Sequence, residues 1–358
     1  MSNDYCQIIA EAGVNHNGSV KRAFELVDMA ADAGADVVKF QTFRTDLLAT
    51  GSAPKANYQV RQTGAEKSQA DMLRELELTE EEFEALAAHC VKRDIEFMST
   101  PFDDQSISFL TDRLKVQRLK VSSGDVTNGP LLLSMAQTGL PIILSSGMST
   151  LGELDKALGV LAFGYIGEGK PGHEAFANAR QSSKGQQALL GKVTLLHCTS
   201  AYPAALEDIN LRAMDTIEAH FGLPIGYSDH TQGITVAIAA AARGATMIEK
   251  HITLDKSLAG PDHAASLEPD ELYALVRSVH EVGACLGCSE KQPTTGELNM
   301  AKIARRSLHA ACDISAGDAF GPENIAIRRP GTSRSPMDYW EVIKEKACRN
   351  YKAEDEID

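Results

Sequence analysis

Eight short apolar runs, separated by segments long enough to be helices, constrain the fold of this chain more than any other feature. In order they are QIIAEAG, ADVVKFQTF, IEFMSTPF, LKVSSGD, PIILSSGM, VTLLHCTS, PIGYSDH and TMIEKHI. Short apolar runs bounded by turn signals read as buried strands, and their alternation with helices implies parallel pairing. Eight such strands are what a closed (β/α)8 TIM barrel needs. An open doubly wound sheet accounts for the alternation equally well. It accounts less easily for the polar residues at the end of every run: Glu11, Lys39 with Gln41, Thr100, Lys120 with Ser123, Ser146, His197 with Thr199, His230 and His251. In a barrel these ends share one face, and catalytic groups sit there.

The length of 358 residues fits a barrel with a small appendage. Residues 1–284 are assigned to the barrel, 285–300 to a polar linker and 301–358 to a small, mostly-β domain. That last segment offers short β-type runs, a turn at Ala316–Asp318 and the pair Arg328–Arg329 before a proline. A core so thin needs something else to pack on. The segment Tyr165–Gly191 is long and polar for a helix-to-strand connection, and reads as a surface insertion on the face away from chemistry.

A net charge of −14 without a basic stripe argues against a nucleic-acid partner. No apolar stretch approaches a bilayer span, and the opening residues run straight into a strand with no signal peptide. Seven scattered cysteines point to a reducing cytoplasm. The lone Cys285–Cys288 pair has no second pair at zinc-binding spacing.

Lys39 and Lys120 end apolar runs, so their ammonium groups are expected in the barrel mouth. Near hydroxyl side chains they make a phosphate or carboxylate site; the plain alternative is a pair of structural ion pairs. A Schiff-base lysine is a third possibility. His230 and His251 end neighbouring strands and together can hold one divalent metal, leaving positions open for substrate and water. Such an open site suits manganese or magnesium better than structural zinc. Asp229 and Glu249 adjoin them and are expected to orient their rings. Glu11 can serve as a general base, or simply pair with Lys39 on the next strand.

Taken together, the motifs IIAEAGVNHNGS, GADVVKFQT, FMSTPFD, LKVSSGD, PIILSSGM, LLHCTSAYP, GYSDHT, EKHITLD, GPDHAASLEP and IRRPG resemble the sialic acid synthase family over nearly the whole chain. The carboxyl-terminal segment is similar to that family's SAF (antifreeze-like) domain. The resemblance implies a TIM barrel that condenses phosphoenolpyruvate with an N-acylated mannosamine-type sugar and water. A nine-carbon 2-keto acid forms, and phosphate leaves by C–O cleavage. It further implies that His230 and His251 bind Mn2+, with Mg2+ or Co2+ as alternatives, and that Glu11 handles the water. Lys39, Thr100, Lys120 and Ser123 correspond to the phosphoenolpyruvate cradle, with Glu11, Lys39 and Lys120 catalytic. Asp125, Tyr202 and Asp262 correspond to sugar-side positions. Arg329 corresponds to an arginine that reaches the partner's barrel in a domain-swapped homodimer.

Two departures bear on the sugar. Asp125 stands where many members carry glutamate, and Phe43 stands near a position that some members fill with histidine. A sugar-facing Phe43 would suit a 6-deoxy substrate. N-acetylmannosamine, giving N-acetylneuraminate, remains the first expectation from the resemblance, and the legionaminic acid precursor is the second. A catalytically silent sugar-binding barrel is the alternative from another class.

Overall fold

The computed structural model describes residues 6–64, 66–167 and 169–358. The first five residues, where the missing signal peptide was read, and Glu168 of the insertion lie outside the described residues. The chain divides into two compact units, Met1–Gly287 and Cys288–Asp358.

In the first unit β1 (Gln7–Gly13), α1 (Val20–Asp32) and β2 (Val37–Thr42) are followed by three short helices, α2 (Thr45–Leu48), α3 (Asn57–Thr63) and α4 (Gln69–Leu76). Then come α5 (Glu80–Lys92), β3 (Glu96–Pro101), α6 (Asp104–Ser108), β4 (Leu119–Val121), α7 (Gly129–Gln137), β5 (Ile142–Ser145) and α8 (Leu151–Ile166). The unit continues through α9 (His173–Gln181), α10 (Ser183–Lys192), β6 (Val193–Cys198), α11 (Ala213–Phe221), β7 (Ile225–Asp229), α12 (Thr235–Ala242), β8 (Met247–His251) and α13 (Pro269–Leu286). The eight strands form one parallel sheet in the order β3-β2-β1-β8-β7-β6-β5-β4. Pairing of β1 with both β2 and β8 joins the first strand to the last, and β3 lies beside β4. This is the (β/α)8 architecture expected from the eight runs.

Side chains alternate along each strand, and here both faces are buried, as parallel sheets require. Outward-pointing Ile8, Val38, Phe97, Leu119, Leu144, Leu195 and Ile248 pack beneath the helices. Inward-pointing Ile9, Val37, Met98, Ile143, Leu196 and Met247 form a separate apolar layer inside the barrel. Gly226 belongs to that layer because nothing larger fits. A Cβ there would stand 2.6 Å from Leu196 Cδ2 and 2.7 Å from Met247 Cγ.

The helices follow local chemistry. Ser19 caps α1, whose buried Ala23, Leu26, Val27 and Ala30 make one apolar stripe. Thr79 and Glu82 close a capping box at the start of α5, where the sequence placed an N-cap. The polar excursion after β2 is more ordered than its composition implied. Leu48, Met72, Leu73 and Leu76 close a small apolar cluster with Val14, Phe43 and Phe102. Phe43 is thus 4% exposed in a core of its own, which removes the expectation that it faces the sugar.

The insertion is also helical: α9 and α10 pack on α8, converting a barrel helix into a largely buried one. The second unit holds α14 (Thr295–Ala304), the antiparallel pair β9 (Ser307–Ala310) and β10 (Ile325–Arg328), and α15 (Tyr339–Val342). Leu308, Ile314, Phe320, Ile325, Val342, Tyr351 and Ile357 make its core. Residues 285–300, assigned to the polar linker, include the end of one helix and the start of the next. α13 runs to Leu286, and α14 begins at Thr295 behind a Thr294–Glu297 capping box.

Candidate active site at the carboxyl ends of the strands

Two residues beyond the apolar inner layer, the same alternation turns polar groups inward. Ile9 is followed by Glu11, Val37 by Lys39, Met98 by Thr100 and Ile143 by Ser145; Gly226 is followed by Ser228 and Met247 by Glu249. Strand register sets Glu11 beside Lys39 on one side and beside His251 on the other. Lys120, the middle residue of β4, joins them from across the barrel.

All four charged groups are buried, none more than 5% exposed. Lys39 Nζ lies 2.6 Å from Glu11 Oε2 and 3.7 Å from Glu249 Oε2. It also donates to Thr100 Oγ1 at 3.2 Å. Lys120 Nζ lies 3.6 Å from Glu249 Oε1 and donates to Ser145 Oγ at 2.7 Å. Ser228 donates to Glu249 Oε1 at 3.1 Å, and Gln41 donates to Glu11 Oε1 at 3.2 Å. Burying each ion costs several kcal/mol, so two ammonium groups survive here only because two carboxylates answer them. The plain reading of Lys39 as half of a structural ion pair is correct for the free site. It also places that lysine where an anion can meet it.

Burial lifts the Glu11 carboxyl to about 7, with Lys39 pulling against it and Glu249 adding to it. Burial opposes the charge on Lys39, but Glu11 and Glu249 outweigh it and raise its pKa. Lys120 is pushed down, by burial first and then by Lys39, despite Glu249. Glu249 goes down: burial favours its neutral form, but Lys120 and Lys39 hold it ionised. Its role differs from the one expected. It bridges the two lysines instead of orienting a histidine. Its Oε2 has no hydrogen-bond partner among the described residues.

Ser123 starts a short 3-10 turn and accepts from Gly147 N at 3.0 Å. A Cβ on Gly147 would stand 2.7 Å from Ser123 Oγ and closer still to Ser200 Oγ, so the glycine keeps a hydroxyl-lined hollow open. Asp125 lies in the same turn, where Ser122 and Asn128 donate to its carboxylate at 2.5 and 3.2 Å. These partners belong to its own loop.

His230 and His251 stand together, ring centroids 5.5 Å apart. His230 Nδ1 lies 2.7 Å from Thr199 O, which assigns it the donor role and leaves the other ring nitrogen for a ligand. His251 Nδ1 is buried with no hydrogen-bond partner among the described residues, and Asp262 Oδ2 is 3.9 Å away. Burial, then the charges of His230 and Lys39, hold His251 far below its usual pKa and hence neutral. Burial raises Asp262 to about 6, against His230 and Lys39. Burial likewise disfavours charge on His230, but Cys198, 3.7 Å from Nδ1, outweighs it and raises the pKa. Among the described residues no three His, Cys, Asp or Glu side chains converge as a ligand set. The two imidazoles, with the unpartnered His251 nitrogen, are the groups here that could hold a cation.

Tyr202 closes this end, its ring 4.1 Å from that of His230 and 5.7 Å from that of His251. Glu11, Lys39, Thr100, Lys120, Ser123, Tyr202, His230, His251 and Asp262 thus gather at one end of the barrel. Arg329 lies in the second unit, exposed just after β10. Other expected residues turn away. His197 points outward, bonded to Ile209 O at 2.7 Å, and Cys198 takes the inward place. Asp229 also points outward, to Lys250 at 2.9 Å, and does not face a histidine ring. Ser145 and Ser228 were missed; counting by two from Ile143 and from Gly226 would have found them.

Residues 26–291 match the model of the NeuB family. The chain is 42% identical to an N,N'-diacetyllegionaminic acid synthase of Legionella pneumophila, across 97% of this chain and 92% of that protein. It is also 42% identical to one of Campylobacter jejuni, across 98% of each. A crystal structure of an N-acetylneuraminic acid synthetase from Leptospira borgpetersenii superposes with a TM-score of 0.65 at 32% identity, covering 83% of this chain and 90% of that one. Family model, relatives and barrel architecture agree: this chain is a member of the NeuB family.

Proposed function

We propose that this protein condenses phosphoenolpyruvate with an N-acylated mannose-type sugar and water, releasing phosphate and a nine-carbon 2-keto acid. The observation that carries this reading is the buried layer of Lys39, Lys120, Glu11 and Glu249 set directly beside the histidine pair. For the sugar we favour 2,4-diacetamido-2,4,6-trideoxymannose, which makes the product N,N'-diacetyllegionaminic acid. Support comes from the two synthases of that name that share 42% of their residues with this chain. Phe43, buried elsewhere, gives no support. N-acetylmannosamine is the competing substrate.

Lys39 and Lys120, with Thr100, Ser123 and Ser145, present ammonium groups and hydroxyls to the phosphate and carboxylate of phosphoenolpyruvate. A divalent cation on His230 and His251, Mn2+ first and Mg2+ or Co2+ as alternatives, would supply Lewis acidity to the sugar aldehyde. C3 of phosphoenolpyruvate forms the new bond to the aldehyde carbon, and its C2 becomes electron-poor. Glu11 takes a proton from the water that adds to C2, and the C–O bond to phosphate then breaks. A carboxyl with a pKa near 7 is matched to that work at neutral pH. A catalytically silent barrel would have no use for so costly a set of buried charges.

Self-association completes the proposal. On α14 Leu298, Met300 and Ile303 are 52–67% exposed, and Trp340 of α15 is 63% exposed. That apolar surface supports a homodimer in which this SAF-like unit docks on a second copy and Arg329 reaches its sugar. No described helix is long and apolar enough to cross a membrane.

Purified enzyme supplied with phosphoenolpyruvate and each sugar separately tests the reaction, with phosphate as readout. Phosphate should appear with the diacetamido sugar at a kcat/KM at least about tenfold above that with N-acetylmannosamine, a contrast one pocket can produce. A chelator should stop it and manganese restore it. Borohydride should trap no adduct on Lys39 or Lys120; a stable adduct would instead establish Schiff-base chemistry.

A further inference from the structure

Tyr58 belongs to α3, in the excursion between β2 and α5, and no sequence motif singled it out. Its neighbours are anchored to the barrel by the cluster around Phe43, but among the described side chains of α3 none is fully buried. The described side-chain hydrogen bonds around α3 are local. Lys55 Nζ donates to Thr63 Oγ1 and Gly64 O, Gln59 closes back on Ala56 N, and Thr63 approaches Met72 Sδ. Tyr58 is the exception. Its ring stacks on Tyr202 at 5.0 Å and 29°, and Tyr202 in turn lies against both histidines. The phenol is also near enough to Asp262 for that carboxylate to disfavour its ionisation, after burial. A helix with no fully buried side chain among those described thus delivers one aromatic ring to the sugar-side residues.

We propose that Tyr58 is a specificity-determining residue, forming with Tyr202 an aromatic wall that contacts the acylated sugar. This rests on the functional reading above and adds a residue to it. Aromatic faces favour C–H and methyl surfaces. A sugar with a second acetamido group and a C6 methyl in place of hydroxyls gains more from such a wall than N-acetylmannosamine does. The described neighbours of Tyr58 include Tyr202 and Asp262 but neither lysine, so phosphoenolpyruvate held by Lys39 and Lys120 is not expected to touch it. The effect should therefore fall on one substrate only.

The test compares wild type, Tyr58→Phe and Tyr58→Ala with phosphoenolpyruvate and each of the two sugars. Tyr58→Ala should raise KM for the diacetamido sugar about tenfold or more and shrink the preference over N-acetylmannosamine, as loss of an apolar contact does. KM for phosphoenolpyruvate should stay within about twofold, and Tyr58→Phe, which keeps the ring, should restore sugar KM to near wild type. A stack that only holds α3 in place would move both KM values together, which overturns the proposal. So would an active wild type whose sugar KM and preference ignore Tyr58→Ala. A wild type that releases no phosphate with either sugar overturns the functional reading, and Tyr58 falls with it because no sugar site remains.

Discussion

Glu11 carries opposite duties in the free and the loaded site. Empty, it neutralises Lys39 across 2.6 Å. When an anion arrives, the same carboxylate competes with it for the ammonium group. Its pKa near 7, raised by burial and restrained by Lys39, lets a proton settle the competition. Below pH 7 Glu11 is mostly neutral and Lys39 is free to meet phosphate. Above pH 7 Glu11 is ionised and holds Lys39 for itself. Anion binding therefore takes up a proton, which Glu11 must release again before it can accept one from water, and KM for phosphoenolpyruvate should climb above pH 7, approaching about tenfold per pH unit by simple linkage. Initial rates from pH 6 to 9 measure it. Glu11→Gln removes both the competing charge and the base. That variant should show a KM flat across this range together with a kcat lower by about a hundredfold or more, the size of a general-base contribution. A variant with unchanged kcat would take Glu11 out of the mechanism.

Strands, more than helices, place this chemistry, and they also show how far the sequence could be read. Each of the eight runs is a strand because each is a short, mostly apolar stretch between turn signals, a property that survives without knowing any neighbour. Which residue at a strand end faces inward depends on the period-two alternation. Reading the last polar residue in place of the alternate one chose Ser146 over Ser145 and His197 over Cys198. The helix α14 was also legible in principle, since Thr294 and Glu297 spell a capping box. Tyr58 was not, because its partner Tyr202 lies on a distant loop and no local pattern records the meeting. Asp229 and Lys250 illustrate the outward side of the same alternation. They form a fully buried pair at 2.9 Å, and Thr231 N and Oγ1 donate to the same carboxylate at 2.9 and 2.8 Å. Lys250 also donates to Thr231 O. The pair thereby ties together the strand ends that carry His230 and His251. Lys250→Met leaves Asp229 charged without its partner and should cost about 3–5 kcal/mol, seen as a lower urea midpoint. Pairing it with Asp229→Asn should recover part of that loss.

At the level of the whole molecule the proposed homodimer makes each active site a joint product of two chains. In that dimer the barrel would supply Glu11, the lysines and the histidines, and Arg329 would come from the partner. A symmetric dimer then has two equivalent sites, each spoiled by either a barrel substitution in one chain or an Arg329 substitution in the other. Glu11→Gln and Arg329→Ala homodimers should both be nearly inactive. In a heterodimer of the two, the Arg329→Ala chain has an intact barrel and receives Arg329 from its Glu11→Gln partner, so one of its two sites is whole. Random pairing makes half the dimers mixed, each with half its sites restored, so co-expression should regain about a quarter of wild-type activity. An arginine serving its own barrel gives the opposite result, because every chain then carries a damaged site. Purifying the mixed dimer through two different affinity tags and measuring phosphate release separates the two arrangements. A sedimenting monomer would remove the shared site altogether, and would leave the exposed Leu298, Met300, Ile303 and Trp340 needing another partner.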